Sequence, residues 1–337
     1  MREVAQSVGV ATSTVSKALR HDPSISEARC REIHAAAEKL GYRPDPMVAT
    51  LMAQLHHRRR RSDPHHLAWI DLWCAEKSDV AKGLEPLLRG ARQRAAELGY
   101  GIEVYRVGLD QMSPDRLRSI LASRGQWGLI FPPVPKSAMH FPFDLQGFAG
   151  VKIGTSLHEP VMHRVAPNHF RGCVLMFEKF RELGFLRIGL ALSPKINERV
   201  DGEWLGAFLF CQQRVPAAER VAPLIAPLED HEAFARWLQH EKPEAVLVAE
   251  ETPLQELRTS GRRNSKRPML GWLLRPGGGS GDGRLDQRHE EMGSVAVELV
   301  VAQIHRNERG SPAIPHQVLI DSAWVEPVRR ARQKRST

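Results

Sequence analysis

Residues 3–19 read EVAQSVGVATSTVSKAL, and the spacing of their apolar positions decides how the front of the chain folds. Val4, Ala5 and Val8 fall on one face of a short helix. Gly9 follows, a residue free to take the left-handed backbone that ends a helix and turns the chain. A second helix, from about Thr12 to Leu19, turns Val15, Ala18 and Leu19 inward. It leaves Thr12, Ser13, Ser16 and Lys17 on the opposite face. Two short helices around a tight turn make a helix-turn-helix, whose second helix offers short polar and basic side chains to base edges and phosphates in a major groove. A third helix is expected from about Ser26 to Leu40, with Ala28, Ile33, Ala36, Ala37 and Leu40 apolar, Ser26 as N-cap and Gly41 as its stop.

Charge is distributed in keeping with that reading. The chain has 337 residues and a net charge of +9. Residues 1–65 carry an excess of basic groups, residues 66–328 balance, and Arg329, Arg330, Arg332, Lys334 and Arg335 make a basic tail. A neutral body behind a basic front module suits a protein that meets a polyanion. No apolar run approaches the ~20 residues that span a bilayer, and no apolar h-region follows the N-terminus. The four cysteines, Cys30, Cys74, Cys173 and Cys211, stand far apart. They read as reduced thiols of a cytoplasmic protein, with neither a disulfide framework nor a zinc site.

The pattern VAQSVGVATSTVSKAL (4–19), followed by ISEARCREIHAAAEKLGYRPDP (25–46), closely resembles the headpiece of the lactose-repressor (LacI/GalR) family over roughly the first 55 residues. The resemblance implies that Thr12, Ser13 and Lys17 read the major groove, with Thr14 and Ser16 nearer the DNA backbone. It also implies a hinge helix from about Pro46 to His56 whose Leu51 wedges between base pairs in the minor groove, unstacking a step and bending the duplex. The alternative for Val48, Leu51, Met52 and Leu55 is simple packing as an amphipathic helix. Two departures weaken the expected hold on DNA. Ala11 stands where a serine usually caps the recognition helix, a loss of about 1 kcal/mol, and Ala49 stands where the hinge usually has an arginine.

The segment 56–66, HHRRRRSDPHH, reads as the boundary of the headpiece. Neighbouring histidines in an extended chain point apart and no Cys or carboxylate completes a set, so a phosphate-contacting linker is preferred to a metal site.

From residue 67 strands alternate with amphipathic helices, the signature of a parallel α/β sheet. Strands are expected at Leu67–Trp73, Ile102–Val107, Gly128–Pro132 and Val151–Ile153, with helices at Leu84–Leu98 and Pro114–Ser123. A second series follows: helix Phe170–Leu183, strand Arg187–Leu192, helix Glu203–Arg214, strand Val221–Ile225, helix Asp230–Gln239, and strands Ala245–Ala249 and Pro268–Leu273. Two doubly wound lobes emerge, and such sheets bind ligands at the C-terminal ends of their strands. LGFLRIGL (183–190) and EMGSVAVELV (291–300) resemble the periplasmic-binding-protein-like effector domain of the same family. That likeness implies strand exchange between lobes, with the helix Glu290–Arg306 returning to the first.

The expected architecture is therefore a small all-α helix-turn-helix headpiece (1–45), a hinge helix and basic linker (46–65), and a two-lobed α/β body with parallel doubly wound sheets (66–328). The first lobe takes about 66–160 plus 287–310, the second about 161–286 plus 311–328, and 329–337 form the tail. By the same resemblance a sugar or purine sits between the lobes. Arg199, Glu251, Asn168, Asp286 and Gln287 occupy the matching positions. Departures from the family pattern at Pro167 and Glu250 leave the effector unnamed. Trp73, Trp204 and Trp272 are candidates either to stack on a sugar or to fill the core. The glycine run Gly277–Gly283 lacks G-K-[ST] and a following helix, so it is no Walker A loop. His289-Glu290-Glu291 lacks a second histidine, and no G-x-S-x-G nucleophile elbow occurs.

No catalytic residue, cofactor or metal is expected. The reading is a homodimeric regulator that binds near-palindromic operator DNA as a repressor and responds to a small molecule, expected to be a carbohydrate. A twofold seam through Leu84, Leu88, Ala91 and Ala95 is one reading of that stripe, and packing on the sheet is the other. A sugar-binding protein without a regulatory role, and a sugar-processing enzyme with an added DNA-binding domain, are the rival functions.

Overall fold

The computed structural model describes residues 2–19, 25–40, 65–73, 83–107, 112–137, 139–250, 268–274 and 283–326. The expected hinge helix with Leu51 and Ala49, the stop at Gly41, Glu251, most of the glycine run and the basic tail lie outside them.

The headpiece contains α1 (Arg2–Val8), α2 (Thr12–Ala18) and α3 (Glu27–Lys39). Val4, Ala5, Val15, Ala18, Ile33 and Ala37 close its core. Gly9 has φ +69°, and the Val10 N–H donates to the Ala5 carbonyl at 2.9 Å, which sets the turn from α1 into α2. Ala11 precedes α2 and offers no side-chain cap. Ser26 holds the N-cap position of α3 with extended backbone, but its hydroxyl makes no capping bond. The cap read from sequence is positional only.

The body begins at β1 (His65–Asp71). His65 and His66 are thus strand residues paired with Tyr100 and Gly101, not the end of a linker. Along the chain follow α4 (Glu85–Glu97), β2 (Tyr100–Arg106), α5 (Pro114–Ser123), β3 (Gly128–Phe131), β4 (Met139–His140), β5 (Ala149–Ile153), β6 (Leu157–Glu159) and β7 (His163–Pro167). Next come α6 (His169–Glu182), β8 (Ile188–Leu192), α7 (Pro194–Arg199), α8 (Glu203–Gln213), β9 (Leu224–Ile225), α9 (His231–Glu241), β10 (Ala245–Val248), β11 (Met269–Trp272) and β12 (Gly283–Asp286). The chain closes with α10 (His289–Arg306), β13 (Gln317–Ile320) and β14 (Ala323–Val325).

Two six-stranded sheets result, in the orders β13-β7-β5-β3-β1-β2 and β14-β12-β11-β10-β8-β9. All pairings are parallel except β12 with β14. Strands β3 and β10 are buried along their whole length, as expected where helices cover both faces.

The division between lobes differs from the expected one at two places. β7 pairs with β5, and β13 pairs with β7 through Val318 and Val165. Residues 163–167 and 317–320 therefore belong to the first sheet, where the alternation of strands and helices assigned them to the second lobe. Strands this short carry no pattern saying which sheet receives them, so neighbouring pairing decides. β14 joins the second sheet.

The helix expected to return to the first lobe does so. α10 packs beside α4 over Leu67, Trp69, Ile130 and Val151. Leu87, Ala91 and Ala95 of α4 are fully buried in that core, with Leu84 and Leu88 packed at its edge. Of the stripe Leu84, Leu88, Ala91, Ala95, the two alanines are consequently interior packing, while Leu84 and Leu88 stay half-buried at the edge of the core. In the second lobe Cys173, Phe177, Phe180, Leu190, Trp204 and Phe208 form the core on one face of the sheet. Val246, Leu270, Trp272, Phe234 and Trp237 form that on the other.

Candidate functional site

The outer face of α2 is built by the burial of its inner one. Val15 and Ala18 are fully buried against α1 and α3, and the 3.6-residue period carries Thr12, Ser13 and Lys17 outward, all exposed. Thr14 is half-buried. The carbonyl of Ala18 is met by the His34 Nε2 at 3.3 Å, which ties the end of α2 to α3. Short hydroxyl side chains and one long cation on a single exposed helix face are chemically suited to base edges and phosphates.

The second candidate region lies where the C-terminal ends of the two sheets approach each other. Arg199, the last residue of α7, is largely buried. Its Nη2 donates to the Val134 carbonyl at 2.8 Å, and its Nη1 to the Pro135 carbonyl at 3.5 Å. These carbonyls follow β3 in the first lobe. No carboxylate of the described residues pairs with this guanidinium, and burial lowers its pKa. The Arg199 carbonyl in turn accepts from the Thr155 hydroxyl, just after β5. α7 itself is positioned by a serine cap. The Ser193 hydroxyl accepts from the Ile196 N–H at 3.2 Å, Pro194 fills N1, and the Ser193 N–H donates to Glu250 Oε1 at 2.9 Å. Glu250 thereby ties the ends of β8 and β10.

Three of the other positions matched by resemblance bond the protein's own backbone. Asn168 is the N-cap of α6, accepting from the Arg171 N–H at 3.1 Å, while its Nδ2 donates to Asp321 Oδ1 at 2.9 Å. Gln287 is buried and donates to the Leu273 carbonyl at 2.8 Å. Asp286 is exposed at the end of β12 and accepts from the Arg288 N–H at 2.8 Å. The structure places Arg199, Asn168, Asp286 and Gln287 near strand ends or crossovers, and Glu251 lies outside the described residues. Trp204 and Trp272 are core residues. Trp73, just after β1, is buried and donates its indole N–H to the Pro133 carbonyl at 2.5 Å.

Around the Arg199 turn sit groups the sequence did not single out. Arg164 of β7 pairs with Asp201 at 3.7 Å. The Lys152 ammonium donates to the Leu157 and His158 carbonyls at 2.7 and 3.0 Å. Burial, with the Arg164 charge nearby, pushes its pKa down to about 8. The Glu203 carboxylate accepts from the Phe170 N–H at the start of α6, and burial raises its pKa. Lys152, Arg164 and Asp201 lie on short strands or a turn, and Glu203 opens α8, at positions whose residue types carry no motif. Asp201 stands two residues beyond Arg199, the nearest position that the sequence had marked.

Among the described residues no group of three or more His, Cys, Asp or Glu side chains could hold a metal ion. No helix of the described residues is long and apolar enough to cross a membrane.

Residues 1–45 match the family model described as bacterial regulatory proteins, lacI family. None of the curated proteins matches the chain. Among solved structures, a transcriptional regulator CelR in complex with cellobiose is 18% identical, with 96% of this chain and 97% of that chain covered and a TM-score of 0.51. A Lac repressor bound to ONPG in the repressed state is 15% identical, over 96% of this chain and 97% of that one, with a TM-score of 0.50. A regulatory protein of the LacI family from Chloroflexus aggregans is 15% identical, over 78% of this chain and 98% of that one, with a TM-score of 0.54. At these identities the likeness is one of fold: a helix-turn-helix front and a two-lobed α/β body with parallel sheets.

Proposed function

We propose that this chain, whose residues 1–45 match the lacI family model, is a DNA-binding transcriptional regulator of that kind and acts as a homodimeric repressor whose hold on its operator is set by a carbohydrate bound between the lobes. The observation that carries the reading is the exposed Thr12, Ser13 and Lys17 face of α2, opposite the buried Val15 and Ala18, within the 45 residues that match the family model. A face of this kind reads a half-site, and two half-sites at a fixed spacing require two headpieces. The effector class is supported by two neighbours of the same fold whose structures hold cellobiose and ONPG. It is supported also by the buried guanidinium of Arg199 at the lobe boundary, whose planar fork suits paired oxygen acceptors.

In this mechanism a ligand with unequal affinity for two body conformations shifts their populations, and the shift changes the spacing of the headpieces. Footprinting on the promoter region of the protein's own gene, with and without a panel of sugars, tests the whole reading. Two protected half-sites with related sequence are expected, and at least one sugar should change the protection. A uniform footprint at every sequence tried would refute sequence-specific regulation. Protection insensitive to every sugar would refute the effector class alone.

A further inference from the structure

We propose that the turn from Arg199 to Gly202, between α7 and α8, is a clasp that holds the two lobes together through the protein's own contacts, independently of any effector. Four contacts join this turn to three separate parts of the first lobe. The Arg199 guanidinium reaches the Val134 and Pro135 carbonyls after β3. The Arg199 carbonyl receives the Thr155 hydroxyl after β5. Asp201 meets Arg164 on β7.

The turn is rigidly part of the second lobe, so force on it is force on that lobe. Its backbone is closed on itself, with the Asp201 N–H donating to Glu198 O at 3.0 Å and the Gly202 N–H to Asn197 O at 2.9 Å. Asp201 and Gly202 take positive φ, +51° and +70°, which folds the chain back sharply and aims the Asp201 side chain at β7 while Arg199 points to the loop after β3. At the other end α7 is tied to β8 and β10 through Ser193 and Glu250.

The contacts differ in strength. The Arg164 and Asp201 side chains are 22% and 47% exposed, and a half-exposed pair contributes little by itself. Thr155 is buried and Arg199 is desolvated. Parting the lobes without rehydrating these groups would strand a buried donor and a buried cation, the costly case for polar groups. The Arg199 and Thr155 bonds therefore hold the clasp, and Arg164–Asp201 sets its register. The lobes are joined from the crossover side as well, where Asn168 bonds Asp321. The clasp closes the side on which the sheets present their strand ends. This inference stands whatever the chemistry of the effector.

The test uses the full chain without added sugar, carrying spin labels on noncanonical residues at the exposed positions 116 of α5 and 236 of α9. One distance population is expected in the labelled parent. The double variant Thr155→Val, Arg199→Met should show a second population, because the changes remove the hydroxyl donor and the guanidinium while nearly preserving volume. Thr155→Ser, which keeps the hydroxyl, should retain the single population and so separates loss of the bond from damage to folding. Identical distributions in the parent and the double variant, or two populations already in the parent, would overturn the clasp.

Discussion

Gly90 and Gly293 allow α4 and α10 to cross with their backbones in direct contact. A Cβ added at Gly90 would stand 1.9 Å from the Glu290 carbonyl oxygen, and one added at Gly293 would stand 1.9 Å from that of Leu87. The obstructing atoms in both cases are backbone, which cannot swing aside as a side-chain end can. The crossing is flanked by the Arg89–Glu290 and Arg94–Glu298 ion pairs, but these are exposed and do not set the approach distance. Either Gly90→Ala or Gly293→Ala forces the helices apart over the Ala91, Ala296 and Val297 core. The expected cost is about 3 kcal/mol or more, at the upper end of overpacking, read as a lower urea midpoint. Wild-type midpoints in both variants would show that the helices do not approach so closely.

Asn168 is expected to act through structure. Replacing it with alanine removes the cap on α6, about 1 kcal/mol, together with the bond to Asp321 that joins two crossovers. Asn168→Asp keeps a capping oxygen but sets a carboxylate against Asp321. Both variants should melt at lower temperature, and the aspartate variant should recover as pH falls below the carboxylate range and the repulsion is relieved. Differential scanning calorimetry at pH 7 and about pH 3, below the ordinary aspartate range, corrected for the parent's own shift, reads this. Full stability in both variants at pH 7 would return Asn168 to the effector site.

His169 gives the body a pH dependence of definite sign. The imidazole is buried, lies edge-on to Trp204 at 4.8 Å and leaves its Nδ1 without a partner. Burial lowers its pKa to about 3. In the unfolded chain the group titrates at its ordinary value near 6.5. Between these values the unfolded chain binds a proton that the folded one does not, so stability falls as pH drops through 6.5 and continues to fall toward 3. At pH 5 the loss from this group is about 2 kcal/mol relative to pH 7.5. His169→Phe keeps the ring and removes the titration. Urea unfolding at the two pH values should then show a drop smaller by that amount. An unchanged drop would assign the acid sensitivity elsewhere.

Much of the fold was readable because it rests on periodicity. The stripes of α2 and α4 and the apolar runs at Leu67–Ile70 and Ala245–Val248 repeat often enough to declare both element and buried face. What was not readable depends on pairing or on atoms without residue signatures. β7 and β13 are too short for their five and four residues to say which sheet they join. Asn168 entered the effector set through the family resemblance alone, and residue type does not separate an amide that caps a helix from one that holds a sugar. The partners of Arg199 are backbone carbonyls, which any sequence supplies. α7 did carry a signal, Ser193 followed by Pro194, the usual pairing of N-cap and N1, in a segment short enough to pass for a loop.

On DNA, Lys17 and its neighbours should separate charge from reading. Lys17→Ala removes one exposed cation of α2 and should weaken operator binding, with a salt slope shallower by about 1 for the part of its contact made to phosphate. Thr12→Ala and Ser13→Ala should instead relax discrimination against operator changes, by about 1–3 kcal/mol at each base they contact. Gel-shift titrations over a salt series, on operator and on scrambled duplexes, distinguish the two. Unchanged affinity, slope and discrimination in all three variants would remove α2 as the reading helix.

Because the chain crosses between the sheets after Pro167, after Asp286 and after Ile320, the body is laced and not strung. Neither half can be cut out as one continuous piece. A frameshift beyond residue 288 falls after the last parallel strand of the rear sheet, yet it strips the front lobe of α10 and its outer strand β13. Lesions near the carboxyl end should thus be felt first in the front lobe, whose opening strand begins at residue 65.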